Sequence, residues 1–207
     1  NNSAYSFAFD GGAGISANTF SGASPGLAAG RLYSADRANS RVMLWNPAPT
    51  TGGSNADAVL GQLNAQAGTA NSGGLGQGSL NLPEGSPSSD GTKLLVTDTA
   101  NHRALLWTTL PNMKMDTPSI VVGQAGFTSN AANRGGAADL STLSTPIASA
   151  LTTSRMLVVD RGNHRVLLWN QHPTASGQAA DLVLGQSTGS GTSANAVGSP
   201  TASSLNT

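Results

Sequence analysis

Apolar residues in this chain come in short unbroken runs rather than in alternation with polar ones. Leu94-Leu95-Val96-Thr97-Asp98 is followed, four residues on, by Arg103-Ala104-Leu105-Leu106-Trp107. The same two runs stand at 32 to 36 with 41 to 45, and at 156 to 160 with 165 to 169. A third, shorter run at 58 to 61, 120 to 123 and 182 to 185 ends in glycine and is followed by Gln62, Gln124 or Gln186. Runs of four or five Val- and Leu-rich residues without alternation belong to strands covered on both faces. The chain therefore reads as all-β, with sheets stacked on sheets.

The runs recur at constant pitch. Asp36, Asp98 and Asp160 are 62 residues apart at both steps, and so are Gln62, Gln124 and Gln186. A fixed internal period marks one structural unit copied along the chain. Three units follow, at 20–82, 83–145 and 146–207, in a single repeat domain over 1–207, with 1–19 as an N-terminal strand and linker. A further strand is expected after Phe20, Pro83 or Pro146, with Ile147-Ala148-Ser149-Ala150-Leu151 as its clearest copy. Four consecutive strands buried on both faces and repeated at one period make the blade of a β-propeller. The expected architecture is a propeller-type array of three four-stranded blades, an incomplete ring unless other copies complete it. Trp45, Trp107 and Trp169, the only tryptophans, share one phase of the repeat and are expected to plug the space between neighbouring sheets.

Between the second and third strands stands Asp36-x-x-Asn39-x-Arg41, repeated as Asp98-x-x-Asn101-x-Arg103 and Asp160-x-x-Asn163-x-Arg165. Asp and Asn bond their own backbone and tolerate left-handed conformations, so this link closes a tight antiparallel turn. The planar fork of the arginine suits a carboxylate and backbone carbonyls, and a pair with its own or a neighbouring unit's aspartate is expected. Asp160-Arg161-Gly162-Asn163-His164-Arg165-Val166 and Asp98-Thr99-Ala100-Asn101-His102-Arg103-Ala104 resemble the Asn-His-Leu (NHL) repeat, whose units form the blades of six-bladed propellers. The first unit departs from that pattern at Ser40. The resemblance implies fold more than activity, because the family includes enzymes, receptors and ligand-binding scaffolds.

Composition narrows the function. Formal charge is zero and charged residues make up 10% of the chain, against about 25% in an ordinary soluble domain. A chain without a basic patch has no footprint for nucleic acid. There is no cysteine, hence no disulfide or thiolate chemistry, and no apolar stretch approaches the roughly 18 residues of a membrane span. Loops rich in Ser, Thr, Asn and Gly resemble those of exported bacterial proteins, which points to an extracellular or cell-surface location. Linkers of about twenty residues, such as 63–82, recur in each unit and are the expected contact surface for a protein or glycan ligand.

Candidate chemistry is sparse. His102 and His164 share a repeat position, but two imidazoles with Ser40 as the third equivalent make a poor metal set. Asp57 and Asp181 have Ser119 as their counterpart, too thin for calcium. Glu84, the only glutamate, is expected at a turn. No catalytic residue and no cofactor are assigned. The segment Ser3-Ala4-Tyr5-Ser6-Phe7-Ala8-Phe9-Asp10 alternates aromatic and small residues with period two, so Tyr5, Phe7 and Phe9 form a face suited to pairing with another sheet. Asn1-Asn2-Ser3 matches a glycosylation sequon. The expectation is an extracellular structural or interaction protein that associates with other copies of itself through open blade edges and the N-terminal strand, as a closed ring or a head-to-tail filament. The alternatives are part of a propeller enzyme, which the resemblance would place near amidating lyases or lactonases, and a glycan-binding module.

Overall fold

A computed structural model describes residues 14–112, 116–196 and 201–205. Its described part holds three antiparallel sheets of four strands each. The first blade comprises β1 (Ala23–Ala28), β2 (Arg31–Asp36), β3 (Arg41–Trp45) and β4 (Ala58–Leu60). The second comprises β5 (Ser88–Ser89), β6 (Leu94–Asp98), β7 (Arg103–Trp107) and β8 (Ile120–Val122). The third comprises β9 (Pro146–Leu151), β10 (Met156–Asp160), β11 (Arg165–Trp169) and β12 (Leu182–Leu184). Strands pair in chain order within each sheet, the sequence-predicted all-β blade array.

Register is the same in all three blades. Asp36 lies opposite Arg41, Asp98 opposite Arg103 and Asp160 opposite Arg165, so the motif residues bracket each turn. The turn itself is a single 3-10 turn closed by a left-handed residue, Ser40 at φ 49, His102 at 52 or His164 at 50. The left-handed position is thus not an Asp or Asn; Asn39, Asn101 and Asn163 lie within the turn and serve as side-chain donors. β5 is only two residues long and begins directly after Pro87. β5 lies against both β1 and β9, and a Cβ on Gly26 would collide with the Pro87 carbonyl.

Two apolar layers hold the blades together. Between the first and second lie Tyr33, Val42, Leu44 and Leu60 against Leu94, Val96, Leu105 and Trp107. Between the second and third lie Leu95, Leu106, Ile120 and Val122 against Met156, Val158, Leu167 and Trp169. A large side chain buried in this way contributes about 1.5–3 kcal/mol. Trp107 and Trp169 are thus the inter-sheet plugs that their shared phase suggested. Trp45 faces outward from the first blade, where Phe20 stacks on it with ring centroids 5.8 Å apart.

The third blade departs from the sequence expectation of strands covered on both faces. In β10 and β11 residues alternate between buried and half-buried, and in β12 Leu182 is 49% and Leu184 50% exposed. Among the described residues no sheet lies against this face. The continuous apolar runs are nevertheless the same as in the first two blades.

Candidate functional site

The most strongly repeated side chains converge on the junction between blades. Each arginine donates from Nε to the Oδ2 of its own unit's aspartate, at 2.6 Å for Arg41–Asp36 and 2.7 Å for both Arg103–Asp98 and Arg165–Asp160. Both partners of every pair are wholly buried. Removing two charges from water costs several kcal/mol per ion, so such a pair persists only where further hydrogen bonds satisfy the fork. They are supplied by the loops. Arg103 Nη1 donates to the Phe127 carbonyl, and Nη2 to those of Gly76 at 3.1 Å and Ser79 at 2.9 Å. Arg41 reaches Ala65 with Nη1, and Ser16 and Thr19 with Nη2; Arg165 reaches Gly189 and then Asp139 and Thr142. One guanidinium therefore ties the loop that precedes its blade to the loop that follows.

The carboxylate is equally committed. Its Oδ1 accepts a backbone N–H from Ser21, Asn81 or Ser144, at 2.7, 2.6 and 2.6 Å. Asn101 donates to Asp98 at 2.8 Å and exchanges hydrogen bonds with Asn71, and Asn163 does the same with Asp160 and Asn133. Asn39 donates to both oxygens of Asp36. Burial pushes the Asp98 and Asp160 carboxyls up, while the arginine, asparagine and backbone donors pull the other way. With no exposed surface, the arginine–aspartate pairs present no atom to a substrate. It works as the clasp of the repeat.

The glutamine two residues beyond each fourth strand belongs to the same clasp, a role that its periodicity alone did not reveal. Gln62 Nε2 donates to the carbonyls of Asn39, Ser40 and Thr69, and Gln186 Nε2 to those of Asn163, His164 and Ser193. Gln124 reaches His102 and Ala131. The preceding glycine is required twice over. Gly61, Gly123 and Gly185 have φ of 91, 88 and 88, and a Cβ on them would lie within 2.9 Å of Leu80, Leu143 or Leu205.

His102 accepts at Nδ1 from the Thr145 N–H at 2.9 Å, and Ser40 Oγ accepts from the Leu82 N–H at 3.2 Å. The residue is an acceptor for the N–H that ends its own unit, which is why serine can replace histidine. Among the described residues no group of three or more His, Cys, Asp or Glu could hold a metal ion. Burial lowers the His102 imidazole, with the Asp160 charge opposing. The unfolded chain therefore takes up this proton more readily, so stability is full above the ordinary histidine value of about 6.5 and declines as pH falls below it. We expect the melting temperature of the wild type to drop on acidification from about pH 7.5 to about 5.5, and the His102→Ser variant to show a shallower drop in the same thermal scans.

The remaining candidates have plain structural duties. Asp57 and Asp181 accept the Asn46 and Asn170 N–H groups at 2.7 Å just beyond β3 and β11. Glu84 faces Arg37 at 3.4 Å on the surface. The long linkers also serve as structural parts, since they carry the carbonyls that receive the arginines and the asparagines Asn71 and Asn133. A cavity of about 250 Å³ lies where such a linker meets Trp107 and Asp116. Tyr5, Phe7, Phe9 and the sequon at Asn1 lie outside the described residues.

One surface is apolar without being covered. On the outward face of the third blade stand Leu157, Val159, Val166, Leu168, Leu182 and Leu184, all half-buried or exposed. One repeat earlier their counterparts are Leu95, Thr97, Ala104, Leu106, Ile120 and Val122, all buried against the third blade. No helix among the described residues is long and apolar enough to cross a membrane.

No protein-family model matches the chain, and no curated protein matches it. Among solved structures it is similar to a chain of a humanized mutant of the Chaetomium thermophilum polycomb repressive complex 2 bound to an inhibitor, at 14% identity and a TM-score of 0.43 over 70% of this chain and 27% of that one. It is also similar to a chain of a nidogen/laminin complex, at 17% identity and a TM-score of 0.35 over 69% of this chain and 39% of that one. The chain thus spans well under half of either. At these scores the likeness brings nothing to this chain.

Proposed function

We propose that the protein is an extracellular structural or interaction protein of the NHL-repeat propeller type, which associates with other copies of itself through its uncovered blade. The observation that carries this reading is the outward face of the third blade, where Leu182 and Leu184 stand 49% and 50% exposed at positions buried in both other blades. Contiguous apolar surface of this kind marks an interaction site in a soluble protein. The chain's own buried clasp supports a scaffold rather than a reaction centre, because its repeated polar side chains are spent on holding loops. Export is supported by the uncharged, hydroxyl- and amide-rich composition.

Leu184→Asp tests the reading. The side chain is half exposed in the single chain, so the variant is expected to melt within about 1 kcal/mol of the wild type. In sedimentation velocity the wild type is expected to associate at micromolar concentration and the variant to remain at 20.6 kDa. Association undiminished in the variant would defeat the proposal.

A further inference from the structure

We propose that the cleft between the first and second blades, beside Trp107, is a binding site for a guanidinium group carried on a short aliphatic stem, as in an arginine side chain.

The two junctions between blades are built to one plan. Asp116 and Gln178 offer their carbonyls to the indole N–H of Trp107 and Trp169, at 2.9 and 3.3 Å. Asn71 and Asn133 donate their N–H to the carbonyls of Leu80 and Leu143, at 2.8 and 3.0 Å. The N–H groups of Gly76 and Asp139 bond to the hydroxyls of Ser79 and Thr142. Equivalent positions can therefore be compared residue by residue.

At the second junction Arg134 spans the gap between its own linker and the loop ahead of β12. Its Nη2 donates to the Ser141 carbonyl at 2.9 Å and to the Gly177 carbonyl at 3.2 Å. At the first junction the equivalent of Arg134 is Ser72, and that of Ser141 is Gly78. A serine is too short to make that crossing. Ser72 and Gly78 instead line the cavity of about 250 Å³, together with Asp116 and Thr117 of the facing loop. Gln77 Nε2 donates to the Pro118 carbonyl at 2.6 Å and so fixes the linker to that loop, which gives the cleft two tethered walls.

Charge changes along with size. The second junction has arginine on the linker and the neutral Gln178 opposite; the first has the neutral Ser72 on the linker and Asp116 opposite. None of the residues lining the cleft is Lys, Arg or His, and Asp116, whose Oδ2 accepts the Asn112 N–H at 2.8 Å, brings the one formal charge. A cation is favoured there and an anion disfavoured. The rest of the lining suits the stem. Leu80, Leu105 and Trp107 are apolar, and Leu63, 55% exposed where the second junction has Ala125, extends that surface to the rim. The indole N–H of Trp107 is spent on the Asp116 carbonyl, so the ring offers the cleft only carbon, the surface on which a planar guanidinium and its stem pack. A ligand of this kind brings from outside what Arg134 supplies from within the chain at the second junction.

The test is isothermal titration of the full chain with two guanidinium compounds, Nα-acetyl-arginine amide as the side chain of a peptide and agmatine as a free small molecule. Nα-acetyl-citrulline amide, which keeps the shape of arginine without its charge, is the control. Saturable binding of at least one guanidinium compound is expected at a Kd of about 1 mM or below, with the citrulline compound at least about tenfold weaker, and the tighter guanidinium compound identifies the source. Ser72→Arg copies the filling of the second junction and is expected to abolish binding; Asp116→Asn keeps the carbonyl that Trp107 needs and is expected to weaken binding about tenfold. Should Ser72→Arg fail to fold, Asp116→Asn decides alone. Equal binding of the citrulline compound, undiminished binding in the folded variants, or no saturable heat from either guanidinium compound up to about 20 mM would overturn the site. None of these outcomes bears on self-association, which is read separately from sedimentation.

Discussion

Replacing Arg103 with alanine is expected to cost about 3–5 kcal/mol of stability and to lower the melting temperature by about 6–20 °C. The cost arises on both sides of the broken pair. Asp98 would keep a buried charge without its fork, and the carbonyls of Phe127, Gly76 and Ser79 would lose their donor. Arg103→Lys is expected to recover little of the loss, because an ammonium cannot present three nitrogens in one plane to an acid and two separate loops. Differential scanning calorimetry checks both variants. A melting temperature within about 2 °C of the wild type for Arg103→Ala would mean that the clasp does not hold the blades together.

Gly123→Ala is expected to be nearly as harmful, at about 2–5 kcal/mol. Two penalties combine at this position. The backbone sits at φ 88, where an L side chain is strained by about 1–2 kcal/mol. The new methyl would also lie 2.6–2.7 Å from carbons of Leu143, which is itself fully buried. Urea denaturation gives the difference directly. Gly126→Ala is the matched control, since nothing lies within 4 Å of a Cβ there and its φ is not in the left-handed range, and it is expected to change stability by less than about 0.5 kcal/mol.

Much of the fold could be read from the chain because the repeat displays each element three times. The runs ending in Asp36, Asp98 and Asp160 and those ending in Trp45, Trp107 and Trp169 became the two central strands of each blade, with the register that the four-residue link demands. The arginine–aspartate pairing was legible from side-chain chemistry, and the structure places each pair within one unit. The backbone partners of those arginines were not. They lie on carbonyls of linker residues as unlike as Ala65, Phe127 and Gly189, and a backbone acceptor leaves no trace in side-chain identity.

Which residue of the link takes the left-handed angle was not legible for a similar reason. Propensity favours Asn or Asp there, yet Asn39, Asn101 and Asn163 are needed as donors to the aspartate, and the strained angle falls to Ser40, His102 and His164. Tertiary hydrogen bonding outweighs a local preference worth about 1–2 kcal/mol. The exposure of the third blade was hidden as well. Its runs are as apolar as those of the other blades, so the sequence pattern reports what the face is made of, and only the packing reveals whether another sheet lies on it.

Hydrogen exchange of β12 at two protein concentrations tests most directly whether this face is an interface. At low concentration the amides of Leu182–Leu184 are expected to exchange faster than those of Ala58–Leu60 and Ile120–Val122, because their side chains leave the edge of the third blade uncovered. At high concentration exchange in β12 should slow to match the other two while theirs stays unchanged. Exchange in β12 that is independent of concentration would contradict the account.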